Sequence, residues 1–385
     1  MRKISRLIAG AASVAAAAAL VAGTVTTASA APNDPPKGVT PAPYDIVGGG
    51  SDTTTFIMDA IAGQYDKAVG SKHSVADPYL YSWNATPPGS TSSAPVDITP
   101  KAGCSAKTVR PNGSSAGISA LDSNQTTKFK GVTYPCFDFA RSSGGRKPAN
   151  PKKAPGGIVF VAFARDAITW SVRTAAHGGS DAPKSLTPKQ LQGIFTCKIT
   201  NWKTVGGKSG AIKVYLPQSG SGTLSTWEKF MGITGALPGC VTSKPEENEG
   251  QFAAFNSPNV IYIYSIGAYV AQQYHSPLPG HAPTAGQNAF GTNVTGFLGL
   301  GEISGVNPLS AGKVPTINPA FPTAFWRTIY NVVRYTSGTP DNMSKKLEAI
   351  FGAKAEKGYI CSNAAAQTTI VDYGFVPYKL CGSTS

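Results

Sequence analysis

The segment "YDIVGGGSDTTTFIMDAIAGQYDKA", Tyr44 to Ala68, constrains the fold more than any other stretch. A short apolar strand (Tyr44, Ile46, Val47) runs through three glycines into Phe56, Ile57, Ala60, Ile61 and Tyr65, which recur at helical spacing. Strand, glycine turn and one-sided helix in direct succession make a β-loop-α unit, whose helix has to cover a sheet. "LTPKQLQGIF" predicts a second amphipathic helix, with Thr187 as N-cap, Pro188 at the first helical position, and Leu191, Ile194 and Phe195 facing inward. Strand candidates rich in β-branched and aromatic residues are Ile158 to Phe163, Ile168 to Val172, Ile212 to Leu216 and Val260 to Tyr264. Strands alternate with helices, so the expected class is α/β, with mostly parallel pairing carried by helical crossovers.

The first thirty residues stand apart from this pattern. Arg2, Lys3 and Arg6 form a basic region, Leu7 to Val25 is rich in Ala and Val, and Ala28-Ser29-Ala30 is a small-residue cleavage signal. This pattern predicts a secretory signal peptide over residues 1–30, cleaved near Ala30. No Cys precedes Cys104, which argues against a lipid-anchored lipoprotein, so a soluble exported protein is expected. Without Arg2, Lys3 and Arg6 the formal charge falls from +14 to +11. That excess suits an anionic ligand, an anionic surface or plain solubility. The Lys and Arg are scattered and follow no nucleic-acid-binding pattern, so no nucleic-acid partner is expected. The densest run, Arg141 to Lys153, reads as a solvated loop among Pro and Gly.

About 355 residues remain after cleavage, a length that suits two domains. Cys104, Cys136, Cys197, Cys240, Cys361 and Cys381 are even in number in an exported chain and read as three disulfides, whose pairing stays open among 15 possibilities. Sequential pairing would close three local loops. No C-x-x-C occurs, and His73, His177, His275 and His281 lack zinc spacing, so neither a metal nor a cofactor is expected. Residues 31–43 read as a Pro-rich disordered leader. The Pro/Gly-dense stretches at 144–157 and 277–315 are candidate boundaries, which gives a discontinuous first lobe (44–155 and 315–385) and a second lobe (156–314). Two crossings between lobes make a hinge.

The glycine turn after Val47 has two relatives, "NGSSAGIS" (Asn112 to Ser119) and "QSGSGT" (Gln218 to Thr223). All three are Gly/Ser/Thr clusters that open a helix. A helix start carries unpaired N–H donors and an effective charge of about +0.5. Glycine admits close approach of a ligand to the backbone, and a small hydroxyl adds a donor. Such a turn suits an oxyanion. Three of them, divided between two lobes, would converge on a cleft at the carboxyl ends of the strands.

In these motifs the chain resembles the type II periplasmic binding proteins, and among them the phosphate-binding subunits of ABC transporters and their secreted relatives. Gly48 to Thr53 is similar to that family's first glycine-rich loop, and Gly113-Ser114-Ser115-Ala116-Gly117 to its G-S-S-G-G turn. Asp138-Phe139-Ala140-Arg141-Ser142-Ser143 resembles D-F-G-A-S-D, and Gly220-Ser221-Gly222-Thr223 resembles the end of R-S-D-G-S-G-T. "LTPKQLQGIFTCKITNWKTVGG" is similar to the family's L-x-x-I-F-x-G-K-I-x-x-W block. The resemblance implies two α/β lobes joined by a hinge, an interdomain ligand cleft, and binding of inorganic phosphate or a similar oxyanion by a monomer. It also implies an ABC permease as partner. The ligand-binding residues it implies are Ser51, Asp52, Thr53, Ser114, Ser115, Arg141, Ser143, Ser221, Gly222 and Thr223.

Two positions depart from the family pattern: Pro217 stands where an Arg meets the anion, and Ser143 where an Asp closes its motif. Arg141 is the candidate replacement cation. Asp52 is either the carboxylate that accepts a hydrogen bond from protonated phosphate, while repelling sulfate, or a helix cap. Trp227 is expected in the core. Two other readings compete with solute capture. Ser115 lies in a G-x-S-x-G pattern, as in a serine hydrolase, but "KTVRPN" before it is not the buried strand a nucleophile elbow needs. The positive charge could instead hold the protein to an anionic cell wall, as an adhesin or scavenger with a degenerate site.

Overall fold

A computed structural model of the chain describes residues 34, 35, 38–87, 90, 92–274, 295–312 and 315–385. The signal peptide and cleavage site, residues 31–33, 36 and 37 of the leader, His275 and His281 lie outside the described residues. The described part of the leader is not the disordered tether expected: Asp34 is buried and ion-paired with Arg110 (2.6 Å). No helix among the described residues is long and apolar enough to cross a membrane.

The frame is a ten-stranded mixed sheet. Its main strands in chain order are β1 (Ile46–Gly50), β2 (Leu80–Ser82), β3 (Phe139–Ser142), β4 (Ile158–Arg173), β5 (Lys213–Leu216), β6 (Val241–Ser243), β7 (Val260–Ser265) and β8 (Trp326–Arg334). They lie in the order β6-β5-β7-β4-β8-β3-β1-β2, with Leu298–Leu300 and Val376–Pro377 added alongside β4. Pairing is parallel only towards the two flanks, β2-β1-β3 and β6-β5-β7. The centre is antiparallel, β7-β4-β8-β3, which corrects the expectation of mostly parallel pairing. The two strand candidates at 158–163 and 168–172 are one sixteen-residue strand, β4.

Two hydrophobic cores flank this centre. One gathers Ile46, Ile57, Ile61, Phe139, Val161, Phe163, Ile329, Val333 and Phe351. The other gathers Ile168, Trp170, Leu191, Phe195, Trp202, Leu216, Trp227, Ile263 and Phe325. The chain passes from one to the other inside two strands. In β4, Val159, Val161 and Phe163 belong to the first core, and Ala167, Ile168 and Trp170 to the second. In β8, Trp326 packs on the second core, while Ile329 and Val333 sit in the first.

At this crossing Asp166 and Arg327 are direct cross-strand neighbours and form a buried ion pair, with Arg327 Nη2 2.7 Å from Asp166 Oδ2. Arg327 Nε, the Ser265 hydroxyl and the Gly267 amide also donate to the Asp166 carboxylate. A buried charge pair is tolerable when its remaining lone pairs are satisfied in this way.

Local signals placed the helices. α1 (Thr55–Val69) buries Phe56, Ile57, Ala60 and Ile61. α2 is Ser114–Asp122 and α3 is Pro188–Phe195. Thr187 and Gln190 form a reciprocal capping box at the start of α3. α4 (Gly222–Met231) starts at the Ser221 hydroxyl, which accepts from Leu224 N–H, and buries Trp227 completely. The six cysteines pair sequentially, Cys104–Cys136, Cys197–Cys240 and Cys361–Cys381.

Gly48 carries a steric requirement, because a Cβ there would lie 2.5 Å from ring carbons of Phe139 on the neighbouring strand. That ring is fully buried against Phe351 and has no room to retreat. Gly48→Ala is expected to destabilise the protein by about 1–3 kcal/mol, measured as a lower midpoint in urea unfolding.

Candidate functional site

The three glycine-hydroxyl clusters meet between the two cores. Thr53 lies in the turn ahead of α1, Ser114 is the first residue of α2, and Thr223 is the second residue of α4. The clusters approach so closely that a Cβ on Gly222 would lie 2.3 Å from Ser114 Oγ and 2.4 Å from Ser143 Oγ. The Ser115 amide donates to the Gly220 carbonyl (3.1 Å) from one cluster to another.

At the centre of this convergence is the carboxylate of Glu247, 1% exposed. Its Oε1 accepts from the hydroxyls of Thr53 (2.6 Å), Thr223 (2.5 Å) and Ser143 (3.3 Å). A second tier supports these donors. Ser51 Oγ donates to Ser143 Oγ (2.9 Å), and Ser114 Oγ accepts from the Ser143 amide (3.1 Å). Thr53 Oγ1 receives Asn248 Nδ2 (3.2 Å) and Arg327 Nη2 (3.3 Å), which leaves its proton free to point at Glu247. Glu247 Oε2 and Arg327 Nη1 are buried without a hydrogen-bond partner among the described residues.

Glu247 belongs to an acidic loop, Glu246-Glu247-Asn248-Glu249, that leaves the carboxyl end of β6. Asn248 adopts a left-handed backbone (φ 55°), which Asn tolerates better than most residues. Its Oδ1 accepts from the Ser265 amide, its carbonyl accepts from Tyr264 and Gln272, and its Nδ2 also reaches Asp52 Oδ1 (3.0 Å). Glu246 accepts from Asn112 Nδ2 (2.9 Å) and Gln218 Nε2 (2.7 Å). Burial first, then the charges of Glu246 and Glu247, push the Asp52 carboxyl well above its ordinary range. Burial raises Glu246 to about 7 and Glu249 to about 8.

The structure thus brings Thr53, Ser143 and Thr223 to one point, with Ser51 and Ser114 directly behind and Gly222 at the closest approach. The Ser221 hydroxyl is used as a helix cap, and Ser115 contributes its amide to the Gly220 carbonyl. Asp52 spends one oxygen on Asn248 rather than on a helix amide.

Arg141 is placed differently from the sequence expectation. It is fully buried, and its guanidinium donates to the carbonyls of Ser51, Trp83 and Gly50 and to the hydroxyls of Ser82 and Thr55. These five bonds use all five of its donors, so it holds the first glycine loop from behind and has none left for a ligand. Burial lowers its pKa to about 10, against the opposing pull of Asp59 and Asp52. The guanidinium beside the ring of hydroxyls formed by Thr53, Ser143 and Thr223 is that of Arg327, which reaches Thr53. Sequence reading missed Glu247, Asn248 and Arg327. The acidic run after a strand that pairs in parallel was the available signal, since loops at those strand ends line the cleft; Arg327 lies within a strand and carried none.

Ser115 has no hydrolase partner among the described residues. His73 bonds Asp45, and His177 packs against Phe297. The strand ahead of Ser115 is the two-residue Thr108–Val109, which offers no nucleophile elbow.

Residues 45–293 match the family model of the PBP superfamily domain, so the chain belongs to that superfamily. No curated protein sequence matches it. Among solved structures it is similar to a protein from Clostridium perfringens described as a phosphate ABC transporter substrate-binding protein with bound phosphate. The identity is 17% and the TM-score 0.53, covering 87% of this chain and all of the other. An ABC-type phosphate transport receptor from Vibrio cholerae is similar at 18% identity and TM-score 0.48, covering 87% of this chain and 100% of that one. The likeness to the Clostridium perfringens structure is one of fold, the mixed α/β fold of this superfamily.

Two outcomes follow from these contacts. Arg141→Ala removes a donor from three buried carbonyls and two buried hydroxyls at once and is expected to cost at least about 3 kcal/mol of stability, read as a large drop in melting temperature with or without ligand. Asp52, Glu246 and Glu249 hold protons more tightly folded than unfolded. Their contribution is complete below their unfolded pKa, about 4, and is lost as pH rises through about 7 to 8 for the two glutamates. The melting temperature should therefore fall between pH 5 and pH 9, and fall less in Glu249→Gln.

Proposed function

We propose that this chain is an exported solute-binding protein that captures an inorganic oxyanion between its lobes, with phosphate the first candidate and an ABC permease the receiver. The observation that carries this reading is the carboxylate oxygen of Glu247 held by hydroxyls of Thr53, Ser143 and Thr223. A group of donors that satisfies a carboxylate oxygen in a buried cleft has the chemistry of an oxyanion seat. Each hydrogen bond to a charged acceptor contributes about 1.5–3 kcal/mol. Arg327, ion-paired with Asp166, places guanidinium donors beside these hydroxyls, with one nitrogen unpartnered among the described residues.

The similar Clostridium perfringens protein has phosphate bound, which supports that choice among tetrahedral anions. Capture couples to closure because Thr53 and Thr223 come from elements packed on different cores, so an anion held by both favours the closed arrangement. The lobes we assign meet inside β4 and β8 and not at 156 and 315, because Val159, Val161 and Phe163 pack in the first core while Ile317, Phe321 and Phe325 pack in the second; the working unit is a monomer.

Calorimetric titration with inorganic phosphate and with sulfate tests the reading. Phosphate should bind, and Thr223→Ala should weaken it at least tenfold, about 1.4 kcal/mol; the anion-free variant should also melt lower, because Thr223 donates to Glu247 there. Absence of heat with phosphate, arsenate and sulfate alike, together with no retained anion in native mass spectrometry, would sink it.

A further inference from the structure

The seat is filled by the protein's own side chain. We propose that Glu247 is a resident anion that holds the lobes closed without a solute, and that an external oxyanion enters the seat by displacing it. This inference rests on the reading of the hydroxyl ring as an oxyanion seat.

Three observations carry it. The Glu247 carboxylate connects both sides of the cleft, with Thr53 and Ser143 on one and Thr223 on the other. It reaches there from a loop that is itself tied across the cleft, since Asn248 bonds Ser265 on its own side and Asp52 and Thr53 opposite. The two neighbouring glutamates are engaged elsewhere, Glu246 with Asn112 and Gln218 and Glu249 with the Gln251 amide.

The fit is also incomplete. One carboxylate oxygen takes all three hydroxyl bonds, while Glu247 Oε2 and Arg327 Nη1 have no partner among the described residues. Buried polar groups without partners are costly, and a tetrahedral anion has enough oxygens to serve the ring and the free guanidinium nitrogen together. Two negative groups cannot share so small a buried seat without a proton between them, so occupancy by Glu247 and by a fully ionised solute is exclusive. Apparent affinity is then lowered by the fraction of molecules in which the side chain already occupies the site.

The test compares the full mature chain with Glu247→Ala and Glu247→Gln by small-angle scattering in anion-exchanged buffer and by calorimetry with inorganic phosphate. The wild type should be compact without phosphate. Both variants should have a larger radius of gyration, return to the compact form when phosphate is added, and bind it at least tenfold more tightly than the wild type. Glu247→Gln keeps the side-chain volume, so a folding defect in Glu247→Ala does not remove the test. Variants that stay compact without phosphate overturn the proposal. So does phosphate affinity that is unchanged or weaker, which would make Glu247 a partner of the solute. If the variants open but phosphate neither binds nor recloses them, the resident-anion proposal stands and the phosphate reading fails.

Discussion

The ion pair between Asp166 and Arg327 governs more of this molecule than its size suggests. It sits where β4 and β8 leave one hydrophobic core and enter the other, so both core arrangements are referenced to it. Buried ion pairs seldom add much net stability, because desolvation cancels most of the attraction. Here the consequence is geometric. Asp166 also holds the amide end of the helix after β7 through Gly267, and Arg327 extends from the pair to Thr53. The crossing and the ring are therefore parts of one hydrogen-bonded structure.

The charge distribution runs against the average of the chain. A protein of formal charge +14 places Asp52, Glu246, Glu247 and Glu249 together in its cleft. Net charge describes solubility and long-range attraction, not the field at a buried point. The hydroxyls of Thr53, Ser143 and Thr223 carry no charge in either state, so the same donors serve a side-chain carboxylate or a solute at no cost of reorganised charge.

The strand, glycine turn and helix at Tyr44 to Ala68, the capped helix at Thr187, the core position of Trp227 and the convergence of three glycine-hydroxyl clusters were all legible in the sequence. The first three rest on short-range chemistry, periodicity and capping; the convergence followed from the rule that loops at the carboxyl ends of strands line a cleft. The antiparallel centre was not legible, because a continuous apolar run reads the same whichever way its neighbours point. Arg141 was misread because a cation beside a ligand motif looks alike in sequence whether it faces the ligand or supports the loop from behind. Its five donors settle the matter only once Gly50, Ser51, Ser82, Trp83 and Thr55 are in place around it.

By itself the sequence determined the β-loop-α units, the small donors at their helix starts and an even set of cysteines, since these follow from neighbours within a few residues. Tertiary structure alone decided which acidic side chain fills the cleft, which arginine flanks it and which cysteines pair. Those outcomes depend on distances between segments up to 274 residues apart, as in the bond from Arg327 to Thr53, and no local pattern encodes such a distance.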